Sequence, residues 1–189
     1  MAETATDELA PGFDERIIVE AAQQGDREAL ALIYDHYFPR VYRYVANRLP
    51  TTEDAEDVTT EIFLRVIENL RTFEFRGPPF GAWVFRIAHN EVISFTRRRK
   101  VRSQVEPLTE AIPDPAPDHT DEVHTALTVE VVKAAVARLP QAQRQVIELR
   151  FAAGLSVAET ARVLGKTENN VKVLQHKAIA KLQTMVPRQ

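Results

Sequence analysis

The sequence predicts an all-α protein: two small helical domains joined by an acidic, proline-containing linker, the second carrying a helix-turn-helix. Three observations carry this expectation. Apolar residues recur at helical spacing through most of the chain, and no stretch alternates as a credible strand. Composition then shifts abruptly between Ser103 and Asp121. That stretch has no Lys or Arg but carries Glu106, Glu110, Asp114, Asp118 and Asp121 among Pro107, Pro113, Pro115 and Pro117. Such a stretch reads as an extended linker and a domain boundary. Finally, caps, a small residue, a glycine and apolar anchors fall in helix-turn-helix order between Leu155 and Ala178. The predicted layout is a disordered tail over 1–12, a first domain over 13–102, a linker over 103–121 and a second domain over 122–189.

Composition removes several classes of function. The chain has 189 residues, 44% apolar, with a formal net charge of -3. It has no cysteine, which excludes disulfides and thiolate metal sites and fits a reducing cytoplasm. Met1 to Pro11 is polar and acidic, without the basic and apolar regions of a signal peptide. No apolar run is long enough to cross a bilayer. The chain as a whole is not basic, but its charge is segregated, and local distribution decides what each segment attracts.

In the first domain, Ile17, Ile18, Ala21 and Ala22 begin helical spacing, and Gly25-Asp26 interrupts it. Asp26 can cap the next helix, whose stripe is Leu30, Ile33, Tyr34, Tyr37, Val41, Tyr44, Val45 and Leu49. Pro39 lies inside that stripe and is expected to kink or break it. Thr51 and Asp54 have capping-box spacing, followed by Val58, Ile62, Phe63, Val66, Ile67 and Leu70. Glu53, Asp54, Glu56 and Asp57 complement the helix dipole, yet four carboxylates exceed what a cap needs. A basic partner surface is the second reading. The loop from Arg71 to Gly81 holds Phe73, Phe75 and Phe80 around Arg76-Gly77-Pro78-Pro79. These aromatics suit stacking on unpaired bases and equally suit plugging a core. A last helix carries Trp83, Val84, Ile87, Ala88, Val92, Ile93 and Phe95 and ends in Arg97-Arg98-Arg99-Lys100 with Arg102. That basic run is denser than a helix C-terminus requires, so phosphate contact is the stronger reading.

In the second domain, pattern resumes through Leu127, Val131, Val132, Ala135 and Val136, and Pro140 suits the first turn of the next helix. Val146, Ile147, Leu149 and Phe151 follow, and Gly154 closes that helix. Ser156 and Glu159 then form a capping box, Ala161 is small where helices would cross, Gly165 suits the turn and Thr167 caps the second helix. Val171, Leu174 and Ala178 share its inner face. Asn169, Lys172, Val173 and His176 face outward, with Asn170, Gln175 and Lys177 beside them, a set suited to base edges and phosphates in a major groove.

Sequence motifs for catalysis are missing. His36, His89, His119, His124 and His176 form no metal pair, and there is no phosphate-cradling glycine loop or nucleophile elbow. No enzyme activity, cofactor or metal is expected.

Two separated blocks nevertheless agree with one family. The chain resembles the extracytoplasmic-function sigma factors, compact initiation subunits of bacterial RNA polymerase. Asp54-Ala55-Glu56-Asp57-Val58 followed by Phe63-Leu64 looks like their core-polymerase-binding helix. Phe80-Gly81-Ala82-Trp83-Val84-Phe85-Arg86-Ile87-Ala88-His89-Asn90 with Arg97-Arg98-Arg99 looks like their promoter-melting, −10-reading helix. Leu139-Pro140 to Leu182 looks like their −35-binding domain. Asn169-Asn170 stands where Gly-Thr is common in the family, which points to a promoter preference of this chain's own.

The resemblance implies a non-enzymatic specificity subunit, with these residues in named roles. Asp54, Glu56, Asp57, Glu61, Phe63 and Leu64 would bind core polymerase. Phe75, Arg76, Trp83, Arg86, His89, Asn90, Arg97, Arg98 and Arg99 would hold −10 DNA. Thr167, Asn169, Asn170, Lys172, Val173, Gln175, His176 and Lys177 would hold −35 DNA. Core polymerase, promoter DNA and an anti-sigma factor are the implied partners, with the protein a monomer outside the holoenzyme. An ordinary helix-turn-helix regulator acting without polymerase is the competing reading, and it predicts a symmetric dimer on palindromic sites.

Overall fold

The structure, a computed structural model, describes residues 14–105 and 131–186. The predicted tail, most of the linker and the start of the second domain lie outside the described residues. Those described are all-helical, with no strand among them.

The helices of the first domain are α1 (Glu15–Gln23), α2 (Arg27–Ala46), α3 (Thr52–Leu70) and α4 (Phe80–Val105). Short polar side chains set their starts. Asp14 accepts from the amides of Arg16 and Ile17, and Asp26 from those of Glu28 and Ala29. Each such cap contributes about 1 kcal/mol. Gly25, at φ 91°, makes the turn between them. Thr51 accepts from the Asp54 amide, while the Asp54 carboxylate, one methylene shorter than the Glu or Gln of a full box, bonds Arg99.

Pro39 does not interrupt α2, which runs unbroken from Arg27 to Ala46. A proline here removes one helical bond and costs about 3 kcal/mol. Burial of Ile33, Tyr37, Val41, Tyr44 and Val45 on the opposite face offsets it. The α3–α4 loop is tied down by Gln23, whose amide donates to the carbonyls of Leu70 (2.9 Å) and Phe73 (2.8 Å).

A helical stretch, α5, occupies 131–137. It is followed by α6 (Gln141–Ile147), a π turn (Glu148–Ala152), α7 (Val157–Leu164) and α8 (Glu168–Met185). Pro140 sits one residue before α6, at its N-cap. The single helix expected through Phe151 is thus an α-helix continued by a wider π turn. That turn leaves Phe151 60% exposed while Leu149 is buried. Leu139, Ile147 and Ala178 form one small core, and Val146, Ala161 and Val171 form another.

The two halves also share a core. Leu149, Ala153, Leu155 and Val163 join the cluster built on Tyr37, Tyr44, Phe80 and Phe85, as α7 packs on α4 and the π turn on α2. Polar clamps flank this seam. Arg48 pairs with Glu148 at 2.6 Å, Arg144 reaches the other Glu148 oxygen at 2.7 Å, and Arg40 donates to the Ala153 carbonyl at 3.0 Å.

Candidate nucleic-acid and polymerase interfaces

The helix-turn-helix forms as its residues dictate. Ser156 Oγ accepts from the Glu159 amide while Glu159 accepts from the Ser156 amide, completing a capping box. Gly165 takes φ 61°, a left-handed conformation that glycine adopts without a Cβ penalty. Thr167 caps α8 by accepting from the Asn170 amide. Val171 and Ala178 are fully buried and Leu174 half-buried, so α8 turns Asn169, Asn170, Lys172, Val173, His176 and Lys177 to solvent. Gln175 differs from these. It lies on the inner flank, half-buried, with its amide oxygen accepting from Arg150 Nε at 3.0 Å. Sequence spacing had set it beside the outer face. The contact that draws it inward comes from a π turn that periodicity does not announce.

A second surface lies along α3. Glu56, Asp57, Glu61 and Leu64 are exposed, and Asp54 is partly exposed while bonded to Arg99 at 2.5 Å. Glu61 pairs with Arg65, which also reaches Glu91 at 3.1 Å. Phe63, expected at this surface, is only 5% exposed. Its ring packs beneath Tyr34 and Phe38, with centroids 4.8 and 5.9 Å away. Ile67, assigned simply to the apolar stripe, is 52% exposed and continues the line of Asp57, Glu61 and Leu64 at three- and four-residue spacing. An aliphatic residue at an outward helix position was the available signal.

The third surface belongs to α4 and the loop before it. Phe73 and Phe80 are buried and Phe75 half-buried, in edge and tilted contacts that include Trp83. Two of the three loop phenylalanines therefore plug the core. Trp83 remains half-exposed, and Arg86, Asn90, Arg97, Arg98 and Arg99 are exposed, as is Arg76. Ser94, Arg97, Arg98, Val101 and Arg102 line one shallow depression, concentrating positive charge along the distal part of α4. His89, assigned to DNA, is instead buried against α2, where Nδ1 meets the Tyr44 hydroxyl at 2.9 Å. Burial, and then the positive charge of Arg48, push its pKa down to about 4. The imidazole is neutral at pH 7 and offers DNA no charge. Trp83 and Arg86 share a depression with Gly77, Pro78 and Arg162 of α7, so the second domain leans over this face of α4.

An acidic-aliphatic stripe, a basic helix beside a half-exposed tryptophan and a helix-turn-helix stand on one all-α chain, an arrangement suited to a DNA-binding protein that also docks on a protein partner. The Sigma-70 region 2 family matches residues 33–102, and the Sigma-70 region 4 family matches residues 130–182. The chain is 39% identical to the ECF RNA polymerase sigma factor BldN of Streptomyces coelicolor, over 90% of this chain and 65% of that protein. It is 32% identical to the ECF RNA polymerase sigma factor ShbA of Streptomyces griseus, over 89% of this chain and 93% of that one. In fold it is similar to the sigma factor RpoE of Bartonella quintana, solved in complex with the anti-sigma factor NepR. That likeness has a TM-score of 0.68 at 23% identity, over 84% of this chain and 98% of that chain. The chain belongs to the extracytoplasmic-function sigma factors of RNA polymerase, which are promoter-specificity subunits and not enzymes. These matches give no support to a polymerase-independent regulator.

Proposed function

We propose that the three surfaces divide the work of promoter recognition. The α3 stripe of Glu56, Asp57, Glu61, Leu64 and Ile67 grips a basic and apolar face of core polymerase. Trp83, Arg86 and Asn90, with the basic distal part of α4, hold a −10 strand whose base has left the stack. Extracting a base costs a few kcal/mol, which stacking and phosphate contacts offset. The exposed face of α8 enters the major groove of the −35 element, where Asn169 and Asn170 suit adenine edges, Val173 a thymine methyl and Lys177 a phosphate. Thr167 caps α8 by accepting from the Asn170 amide, which leaves its hydroxyl hydrogen able to donate to a phosphate at the helix start.

The observation that carries this reading is the outward set on α8, held by a complete capping box and a left-handed glycine. Reconstitution with core polymerase tests it. Promoter-specific transcription that depends on added protein is expected, and transcription indifferent to it overturns the reading. An anti-sigma factor is the further partner proposed, on the precedent of the RpoE fold held by NepR. The protein works in the cytoplasm, where polymerase is, and as a monomer outside the holoenzyme. Among the described residues no helix is long and apolar enough to cross a membrane.

A further inference from the structure

Arg150 lies in the π turn between α6 and α7, half-buried, and reaches two places at once. Its Nε donates to Gln175 Oε1 of α8 at 3.0 Å, and its Nη1 donates to the Leu155 carbonyl. Leu155 is fully buried and immediately precedes Ser156, the cap of α7. One guanidinium therefore joins the recognition helix to the residue that launches its partner helix. The chemistry fixes the orientation of the amide. A guanidinium only donates, so the oxygen of Gln175, not its nitrogen, faces Arg150. The contact takes one of the two lone pairs of that oxygen and ties the amide to the inner flank of α8, away from the outward set that includes Asn169 and Val173. Helix geometry agrees, because Gln175 stands four residues after Val171 and three before Ala178, both fully buried.

We propose that Arg150 is a positioning residue for −35 readout, and that Gln175 is its anchor rather than a base reader. The pair fixes the rotation of α8 about its own axis, and with it the directions in which Asn169, Val173 and His176 project. A rotation of one residue step, about 100°, would exchange the reading set for its neighbours. Small rotations misalign hydrogen bonds that weaken steeply with angle. A π turn suits this role because its wider ring puts Leu149 inward and Arg150 against α8 in consecutive positions.

This rests on α8 being the −35 reader, and the experiment separates the two claims. Holoenzymes carrying Arg150→Ala, Arg150→Lys, Gln175→Leu, Gln175→Glu and the Arg150→Ala/Gln175→Leu double variant are assayed on a randomised −35 library and in a salt titration. Asn169→Ala serves as the control for the reading face. Arg150→Ala and Gln175→Leu are expected to change preference about tenfold at the same one or two base pairs. The double variant should add nothing further, since both singles break one contact. Gln175→Glu should keep the parental ranking, because a carboxylate still accepts from Arg150 and has no amide nitrogen to read with. Arg150→Lys should rank like Arg150→Ala, since an ammonium lacks the fork that spans both acceptors. If Gln175→Glu changes the ranking as Gln175→Leu does, the nitrogen reads DNA and the proposal is overturned. It is also overturned if Arg150→Ala weakens all sequences alike and lowers the salt slope by about one unit, the mark of a phosphate contact. If Asn169→Ala shifts the ranking while the Arg150 and Gln175 variants do not, only the positioning claim fails. If none shifts it, α8 is not the reader. The Gln175 variants keep the test decisive should Arg150→Ala fail to fold.

Discussion

Glu148→Gln should open the molecule. Glu148 is 4% exposed and Arg48, its partner across the seam, 11%. Removing one member of a buried pair typically costs about 3–5 kcal/mol, because the other charge stays desolvated. Here that cost falls on the packed arrangement alone. Once the halves separate, water solvates Arg48, and the penalty disappears. The equilibrium between packed and open forms should therefore move toward open by about 3 kcal/mol, or roughly 100-fold. Opening matters for function because two promoter elements about 25 base pairs apart are separated by roughly 85 Å of duplex. A compact chain of this length has a radius of gyration of only about 16 Å. In the packed form α7 also leans over Trp83 and Arg86 through Arg162. The parent protein alone should bind duplex promoter DNA weakly, and Glu148→Gln should bind it at least tenfold more tightly, with a larger radius by small-angle scattering. Arg48→Met, which keeps an apolar stem beside Tyr44 and leaves Glu148 its Arg144 partner, should open less. If Glu148→Gln keeps the parental radius and DNA affinity while losing only thermal stability, the seam is ordinary packing and the argument fails.

Other expectations follow from single sites. Asp57→Arg with Leu64→Asp should abolish co-purification with core polymerase while leaving helicity by circular dichroism intact, since exposed changes usually stay within about 0.5 kcal/mol; undiminished co-purification removes α3 from the interface. Val173→Asn and Asn169→Ala should each alter −35 preference by about 1–3 kcal/mol at one or two positions, read from a promoter library. Lys177→Ala should weaken all sequences alike, and a changed ranking would reassign it to base contact. Stability should also respond to His89. Its folded pKa of about 4 lies below the unfolded value of about 6.5, so the folded form resists protonation. The stabilisation is complete above pH 6.5 and is lost as pH falls toward 4, amounting to about 2 kcal/mol between pH 6.5 and 5. Denaturant titrations of parent and His89→Gln across that window should diverge, and parallel curves would show that His89 does not titrate there.

The helical class, the caps at Asp26, Ser156 and Thr167 and the turn at Gly165 were legible because each depends on residues within one helical turn. Contacts between distant segments were not. His89 and Asn90 are neighbours, yet one is buried against Tyr44 and the other exposed, and only the crossing of α2 with α4 decides between them. Phe63 reads as part of a partner-facing motif until Tyr34 and Phe38 cover it. The loop phenylalanines were open to two readings, and Phe73 and Phe80 take the core edge-on against each other, with the Phe73 carbonyl held to α1 by Gln23. The seam between the halves left no periodic trace at all. Arg48 and Glu148 are 100 positions apart, and each alone looks like a surface charge.

The acidic start of α3 shows how such long-range contacts change the chemistry of a face. Four carboxylates stand there, more than a helix dipole requires. Asp54 is engaged with Arg99, the member of the basic run that folds back onto α3. Glu56 and Asp57 remain exposed on the same turn. On the proposed assignment, the acids of α3 that would face polymerase and the arginines of α4 that would face the −10 strand are joined by an ion pair whose members are partly solvated and cost little to separate. A basic polymerase surface brought against α3 competes with Arg99 for Asp54. An arginine released from that pair is a cation returned to the basic surface of α4, the one proposed to meet the −10 strand. If those roles hold, docking on polymerase and affinity for the melted strand should rise together. Asp54→Asn, which frees Arg99 without polymerase, should then strengthen binding of the isolated protein to −10 single-stranded DNA; unchanged binding would refute the coupling.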